Sequence, residues 1–189
     1  MEEFFLVNRR TKNLVTAPYS SMLMPDGDIK EGSSERGTDI IANMIGDELN
    51  FSVIRPLYSK LVLDLDKAQP AQKKDAYLDY YKLIDSILER DSLFISIRCQ
   101  KLAEDFHIAS NNTKYFEPFV RELKKTGYKL VERDSFSSHE FNFAASRCKN
   151  AMVLVIDKAK LIKDDSLDYS SLIKTGEDII KALSETMNR

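Results

Sequence analysis

The chain has 189 residues, 43% of them hydrophobic and 31% charged, a balance that excludes disordered and membrane-embedded classes and suits one domain burying about two-thirds of its unfolded surface. Its 28 basic and 30 acidic residues leave a formal charge of −2, and their interspersion leaves no field to attract phosphate backbones or anionic lipid, so neither a nucleic-acid nor a membrane partner is expected. Two cysteines, Cys99 and Cys148, and an N-terminus unlike a signal peptide predict a reducing, cytoplasmic setting with both thiols acting as small core hydrophobes.

The apolar runs Phe4 to Val7 and Leu14 to Ala17 flank the polar tract Asn8 to Asn13, which predicts a hairpin opening a sheet. Pro18 ends the second run. Tyr19 to Gly37 holds Pro25, three glycines and several Ser and Asp residues without apolar periodicity, and reads as a long loop of the kind often functional in compact domains. Ile40, Ile41, Met44, Ile45 and Leu49 then recur at helical spacing, with Thr38 or Asp39 as N-cap. Phe51 to Arg55 reads as a strand and Leu61 to Leu65 as a second short apolar segment. Asp75 to Asp91 reads as an amphipathic helix that turns Tyr77, Tyr80, Tyr81, Ile84 and Leu88 toward the core.

Leu93 to Cys99 is β-branched and lacks the polar alternation of a half-exposed strand, so it is expected at the centre of a largely parallel sheet. Phe116, Phe119, Val120 and Leu123 mark a helix that Gly127 ends. Tyr128 to Val131 and Ala151 to Ile156 read as strands, and Leu172 to Leu183 as the last helix. Strand and helix alternate throughout, which predicts a three-layer α/β/α sandwich around a mostly parallel mixed sheet, with a single domain spanning 1–189.

In open α/β sheets ligands bind outside the carboxyl ends of strands, here just after Ala17, Leu63, Ile97 and Ile156. Pro18-Tyr19-Ser20-Ser21 follows the first of these ends. Glu35-Arg36-Gly37-Thr38 opens the first helix, Ser59-Lys60-Leu61-Val62-Leu63-Asp64-Leu65-Asp66-Lys67 comes next, and Ser96-Ile97-Arg98-Cys99, Asp105-Phe106-His107 and Val155-Ile156-Asp157 complete the series. In order and spacing, from Leu14 to Lys160, these segments resemble the N-formylglutamate amidohydrolase family and its poly-γ-glutamate hydrolase relatives, whose fold is shared with zinc carboxypeptidases. Members typically carry Pro-His-Ser-Gly or His-Gly-Gly at the first strand end, Glu-x-Gly-Thr at the turn, Ser-Arg-x-x-x-Asp-Leu-Asn-Arg, Asp-x-His-Gly, Asp-x-Asp and a late glutamate. The resemblance implies a phosphorylase/hydrolase-like sandwich and, in active members, a zinc ion held by two histidines and a carboxylate with one position left for water.

Both histidines are replaced here. Tyr19 stands where the first belongs and Arg98 where the second belongs, and a guanidinium repels a divalent ion. Glu35 remains as the one possible metal ligand, and a charge-assisted pair between Glu35 and Arg98 is expected to neutralise the emptied site. The resemblance therefore implies a divergent protein with a degenerate metal site and no resident cofactor. Such a protein binds a small acidic amino-acid derivative or a protein partner through Tyr19, Glu35, Lys60, Asp64, Arg98 and Asp157. The alternative is a working zinc-dependent hydrolase of N-acylated or γ-linked glutamate substrates, with Glu35 retained and Asp157 as general base. A third reading is an α/β interaction protein outside this family.

Plainer readings stand beside each residue. Glu35 also suits a solvated first turn that favours the helix dipole, and Arg98 also suits an arginine snorkelling from a strand end. Asp64, boxed between leucines, needs Lys60 or Lys67 if buried, either as a structural pair or as a remnant of the family's carboxylate-binding cluster. The two histidines, His107 and His139, with Cys148, Glu140 and Asp105, fit no known metal spacing, and satisfied or surface histidines are expected.

Overall fold

A computed structural model describes residues 4–22, 35–57, 64–65, 74–111, 113–133 and 136–188. The elements run β1 (Phe4–Val7), β2 (Leu14–Thr16), α1 (Thr38–Leu49), β3 (Ser52–Pro56), α2 (Lys74–Ile87), β4 (Leu93–Gln100), β5 (Phe106–Ser110) and α3 (Thr113–Lys125). They continue with β6 (Leu130–Arg133), α4 (His139–Arg147), β7 (Asn150–Asp157), a 3-10 turn at Lys158–Lys160, β8 (Ile162–Lys163), β9 (Ser166–Leu167) and α5 (Tyr169–Met187). Seven strands make one mixed sheet in the order β1-β3-β2-β4-β7-β5-β6. Strands β3, β2, β4 and β7 are parallel neighbours, β5 runs antiparallel to β7, and β1 runs antiparallel to β3.

Helices α1, α3 and α5 cover one face through Ile41, Ile45, Phe119, Leu123, Leu172 and Ile179. Helices α2 and α4 cover the other through Tyr80, Tyr81, Ile84, Phe141 and Ala144. This is the expected α/β/α sandwich. Central strand β4 is buried along all but its last residue, as the missing polar alternation predicts for a strand covered on both sides. The tyrosines of α2 are core, with Tyr80 fully buried and Tyr81 nearly so. No helix among the described residues is long and apolar enough to cross a membrane.

The opening hairpin does not form. β1 and β2 do not pair with each other but flank β3, with Val7 opposite Val53 on one side and Val15 opposite Val53 on the other. The intervening polar tract crosses the start of β3 because its own groups bind there. The Arg9 N–H donates to Ser52 Oγ at 3.2 Å and its guanidinium to the Phe51 carbonyl at 2.8 Å, while Asn13 carbonyl accepts from Ser52 N–H at 3.0 Å.

Several elements differ from expectation in other ways. Strand β5, helix α4 and the β8/β9 hairpin, with left-handed Asp164 and Asp165 at its turn, have no counterpart in the sequence reading. β6 starts two residues later than expected. Leu61 to Leu63 lie outside the described residues, and Leu65 is buried. Helix α1 is not capped by Thr38 or Asp39: Gly37 is its N-cap, at φ +85° and without a side-chain bond, while Thr38 Oγ1 donates back to Glu35 carbonyl at 2.6 Å and Asp39 pairs with Arg55 at 3.2 Å.

Candidate functional site

Strands β2 and β4 lie side by side with Thr16 opposite Ser96. A strand alternates faces, so β4 directs Ile95, Ile97 and Cys99 toward α1, α3 and α5, and Ser96 and Arg98 toward α2 and α4. Arg98 is 2% exposed. A guanidinium sealed so deeply requires compensation, and among the described residues Glu35, Tyr19 and Phe136 meet it.

The first is Glu35. Arg98 Nε donates to its two carboxylate oxygens at 3.2 and 3.1 Å, and the backbone N–H of Cys99 donates to Oε2 at 2.9 Å. The second is Tyr19, fully buried, whose ring centroid lies 4.3 Å from Arg98 Cζ. Stacking of a desolvated guanidinium on an aromatic face contributes on the order of 2 kcal/mol. The third is Phe136, with its ring 5.8 Å away. Tyr19 also reaches outward, donating its hydroxyl to Asp64 Oδ1 at 3.0 Å.

Local backbone geometry brings Glu35 here. Its N–H donates to the Tyr19 carbonyl at 2.7 Å, and its carbonyl accepts from Thr38 N–H at 3.3 Å, closing the Glu35-Arg36-Gly37-Thr38 turn. Gly37 is required twice over: φ +85° is a conformation that disfavours side chains, and a Cβ there would come within 2.7 Å of Leu172 Cδ1 on α5.

Behind Arg98 lies a buried acid that sequence reasoning did not place here. Glu140 on α4 is fully buried, accepts from Ser96 Oγ at 2.6 Å and accepts a close hydrogen bond from the Tyr80 hydroxyl. Burial pushes its carboxyl above the ordinary range, opposed by the bonds from Ser96 and Tyr80 and by the charge of Arg98. Tyr80 is itself held well above its usual value, by burial first and by Glu140 second. The signal in the sequence was Ser138, whose side chain caps α4 by accepting from Phe141 N–H at 3.3 Å. That cap starts a helix in which Glu140 and Phe141 both face inward.

Tyr19, Glu35, Asp64 and Arg98 thus form one cluster at the carboxyl end of β2 and β4. Lys60, Lys67 and the rest of the Ser59 to Lys67 segment lie outside the described residues, apart from Asp64 and Leu65. Asp157, at the end of β7 opposite Gln100, accepts from Leu102 N–H at 3.0 Å and so holds the turn after β4. Cys99 feels both acids: burial, then Glu35, then Asp157 push its thiol up to about 12, which makes it an inert core residue. Cys148 is likewise buried, with its thiol raised chiefly by burial.

Among the described residues the donor set does not fit zinc. Both oxygens of Glu35 are engaged by Arg98, and the two positions at which the resemblance calls for histidine carry a stacked phenol and a cation. The residues weighed for a relocated centre are dispersed. His107 Nδ1 accepts from Arg133 and its Nε2 meets Glu104 at 3.0 Å, whereas His139 lies against the rings of Tyr77 and Tyr81. Glu140 is spent on Tyr80 and Ser96. Asp105 binds Lys160 at 2.7 Å and the Lys129 N–H, which together outweigh burial and hold its carboxyl low. Among the described residues no group of three or more His, Cys, Asp or Glu side chains is arranged to hold a metal ion.

No protein-family model matches the chain, and no curated protein does. Solved structures match it over nearly its whole length. N-formylglutamate amidohydrolase from Ralstonia eutropha superposes with a TM-score of 0.80 at 10% identity, over 100% of this chain and 98% of that one. A bacteriophage poly-γ-glutamate hydrolase gives 0.61 at 12% identity, over 98% and 90%. A metallo-carboxypeptidase from Burkholderia cenocepacia gives 0.62 at 9% identity, over 94% of this chain and 57% of that one. The fold is therefore that of the N-formylglutamate amidohydrolases and the related zinc carboxypeptidase-like proteins, and identities this low carry the fold alone.

Proposed function

We propose that this chain, built on the amidohydrolase fold, is a non-catalytic relative that works by binding, its metal site replaced by an internal ion pair. One observation carries the reading: the Glu35 carboxylate closes on Arg98 Nε while Tyr19 stacks on the same guanidinium. In effect the protein supplies its own cation at the strand end where hydrolases of this fold would hold theirs. Arg98 positions Glu35, Tyr19 shields the pair from water, and Asp64 takes the Tyr19 hydroxyl proton in a hydrogen bond. None of these groups is left to activate water.

Of the two ligand classes, the geometry favours a protein partner over a small acidic amino-acid derivative. The charge that would recognise a ligand carboxylate already faces Glu35, and Arg98 is sealed from solvent. An external acid would have to displace an internal one held also by the Cys99 N–H.

Metal analysis of protein purified without chelator, paired with assays on N-formylglutamate and a γ-linked glutamate peptide in added zinc, tests the reading. Substoichiometric zinc and no turnover are expected. One firmly held zinc per chain with zinc-dependent hydrolysis would overturn it. Calorimetric titration with glutamate separates the ligand classes: heat that disappears in Arg98→Met would turn the assignment to the small acid.

A further inference from the structure

Helices α1 and α5 run in the same direction against one face of the sheet. Gly37 abuts Leu172, and one turn onward Gly176 lies so close to Met44 that a Cβ would come within 2.6 Å of its Cε. Their C-terminal halves line an open groove of roughly 580 Å³ in which Met44 and Ile180 are the apolar residues. From Ile180 the same stripe of α5 continues through Ile173, 45% exposed, to Tyr169, 60% exposed, since positions three, four, seven and eight apart share a helix face. Tyr169 to Ser184 spans about 22 Å, enough for a docked helix of four turns.

The walls are negative. Asp47 and Glu48 of α1 and Glu177 and Glu185 of α5 line the groove against a single lysine, Lys181, and Asp47 is met by Arg9. Neither helix carries a basic residue in its last turn. Because the two are parallel, their C-terminal dipole ends, each equivalent to roughly half a negative charge, add to the carboxylates at the same end.

We propose that this groove docks a basic amphipathic helix of a partner protein, its apolar row against Met44, Ile173 and Ile180 and its lysines or arginines against Glu48, Glu177 and Glu185. The same charges argue against other occupants: anionic lipid is repelled, and a second copy would set like charges face to face. The inference rests on the reading of this chain as a binding protein, and the groove lies on the sheet face opposite Arg98 and Glu140.

The test uses the full chain and a fluorescein-labelled, end-capped peptide of about 18 residues, roughly five turns, with leucines at helical spacing and lysines elsewhere. Fluorescence anisotropy should show saturable one-to-one binding of micromolar order that weakens about tenfold when salt screens it. Glu48→Lys/Glu177→Lys/Glu185→Lys, and separately Ile180→Asp, should each weaken it at least about tenfold, with far-UV circular dichroism confirming the fold. Glu117→Lys/Glu132→Lys, on α3 and β6, should leave it unchanged. Equal binding by the groove variants, or by a scrambled peptide of the same composition, overturns the proposal. Turnover in the hydrolase assay would instead overturn the non-catalytic reading while leaving groove binding measurable, so the two failures are distinguishable.

Discussion

The residues that β2 and β4 send toward α1, α3 and α5 are Val15, Leu93, Ile95, Ile97 and Cys99, whereas those they send toward α2 and α4 include Thr16, Ser96 and Arg98 beside Leu14 and Phe94. The same two strands therefore back a dry layer on one side and a sealed polar layer on the other. In a dry layer each truncation removes contacts and opens a local cavity, and the losses add. In a polar layer the members depend on one another, because deleting one leaves the next buried and uncompensated.

The sharpest way to break that contrast is Arg98→Ala, which should destabilise the protein by about 4 kcal/mol in chemical denaturation, since it strands Glu35. Glu35→Ala should cost a similar amount. The double replacement Glu35→Leu/Arg98→Met should cost less than the sum of Glu35→Leu and Arg98→Met made singly by about 2 kcal/mol; strict additivity would show that the pair is not the organising contact. On the dry side, Leu123→Ala should cost about 3 kcal/mol and add to Glu35→Ala within about 0.5 kcal/mol.

A finer probe is pH. The folded-state pKa of Glu140 is raised, so the native protein holds this proton more tightly than the unfolded chain, where glutamate titrates near about 4.3. Its contribution is fully present below that unfolded value and is lost as pH rises through the folded one. Glu140→Gln, which cannot ionise, should flatten this part of the stability profile; an unchanged profile would place the proton elsewhere. The smallest effect concerns the thiols. Cys99, with a pKa of about 12, and Cys148 should react with an aromatic disulfide reagent only as fast as the protein opens, and prompt labelling of the native state would contradict their burial.

Much of this arrangement was legible before the fold. β4 announced itself by a compact run rich in β-branched residues, α2 by its tyrosine spacing, and the meeting of Tyr19, Glu35 and Arg98 by the order of segments at successive strand ends. What stayed hidden depends on long-range pairing. β1 and β2 look like a hairpin because local patterning carries no record of a third strand, β3, sliding between them. Phe106 to Ser110 reads as part of a motif because a five-residue strand is recognised by its neighbours β7 and β6 rather than by its own periodicity. Glu140 resembles any first-turn helix acid; only Tyr80 and Ser96, far away in the chain, give it an interior address. The alternation in Ser96-Ile97-Arg98 was visible, yet it reads as an all-apolar strand until one knows that a guanidinium can be housed inside.

The contact between Gly37 and Leu172 has a consequence for how the chain acquires its form. The turn that carries Glu35 rests on α5, which follows β7 in the chain, so a nascent polypeptide that has emerged only through β7 possesses Arg98 and its strand but not the footing for its counter-ion. During synthesis the interior around the arginine is expected to lock only after α5 has left the ribosome.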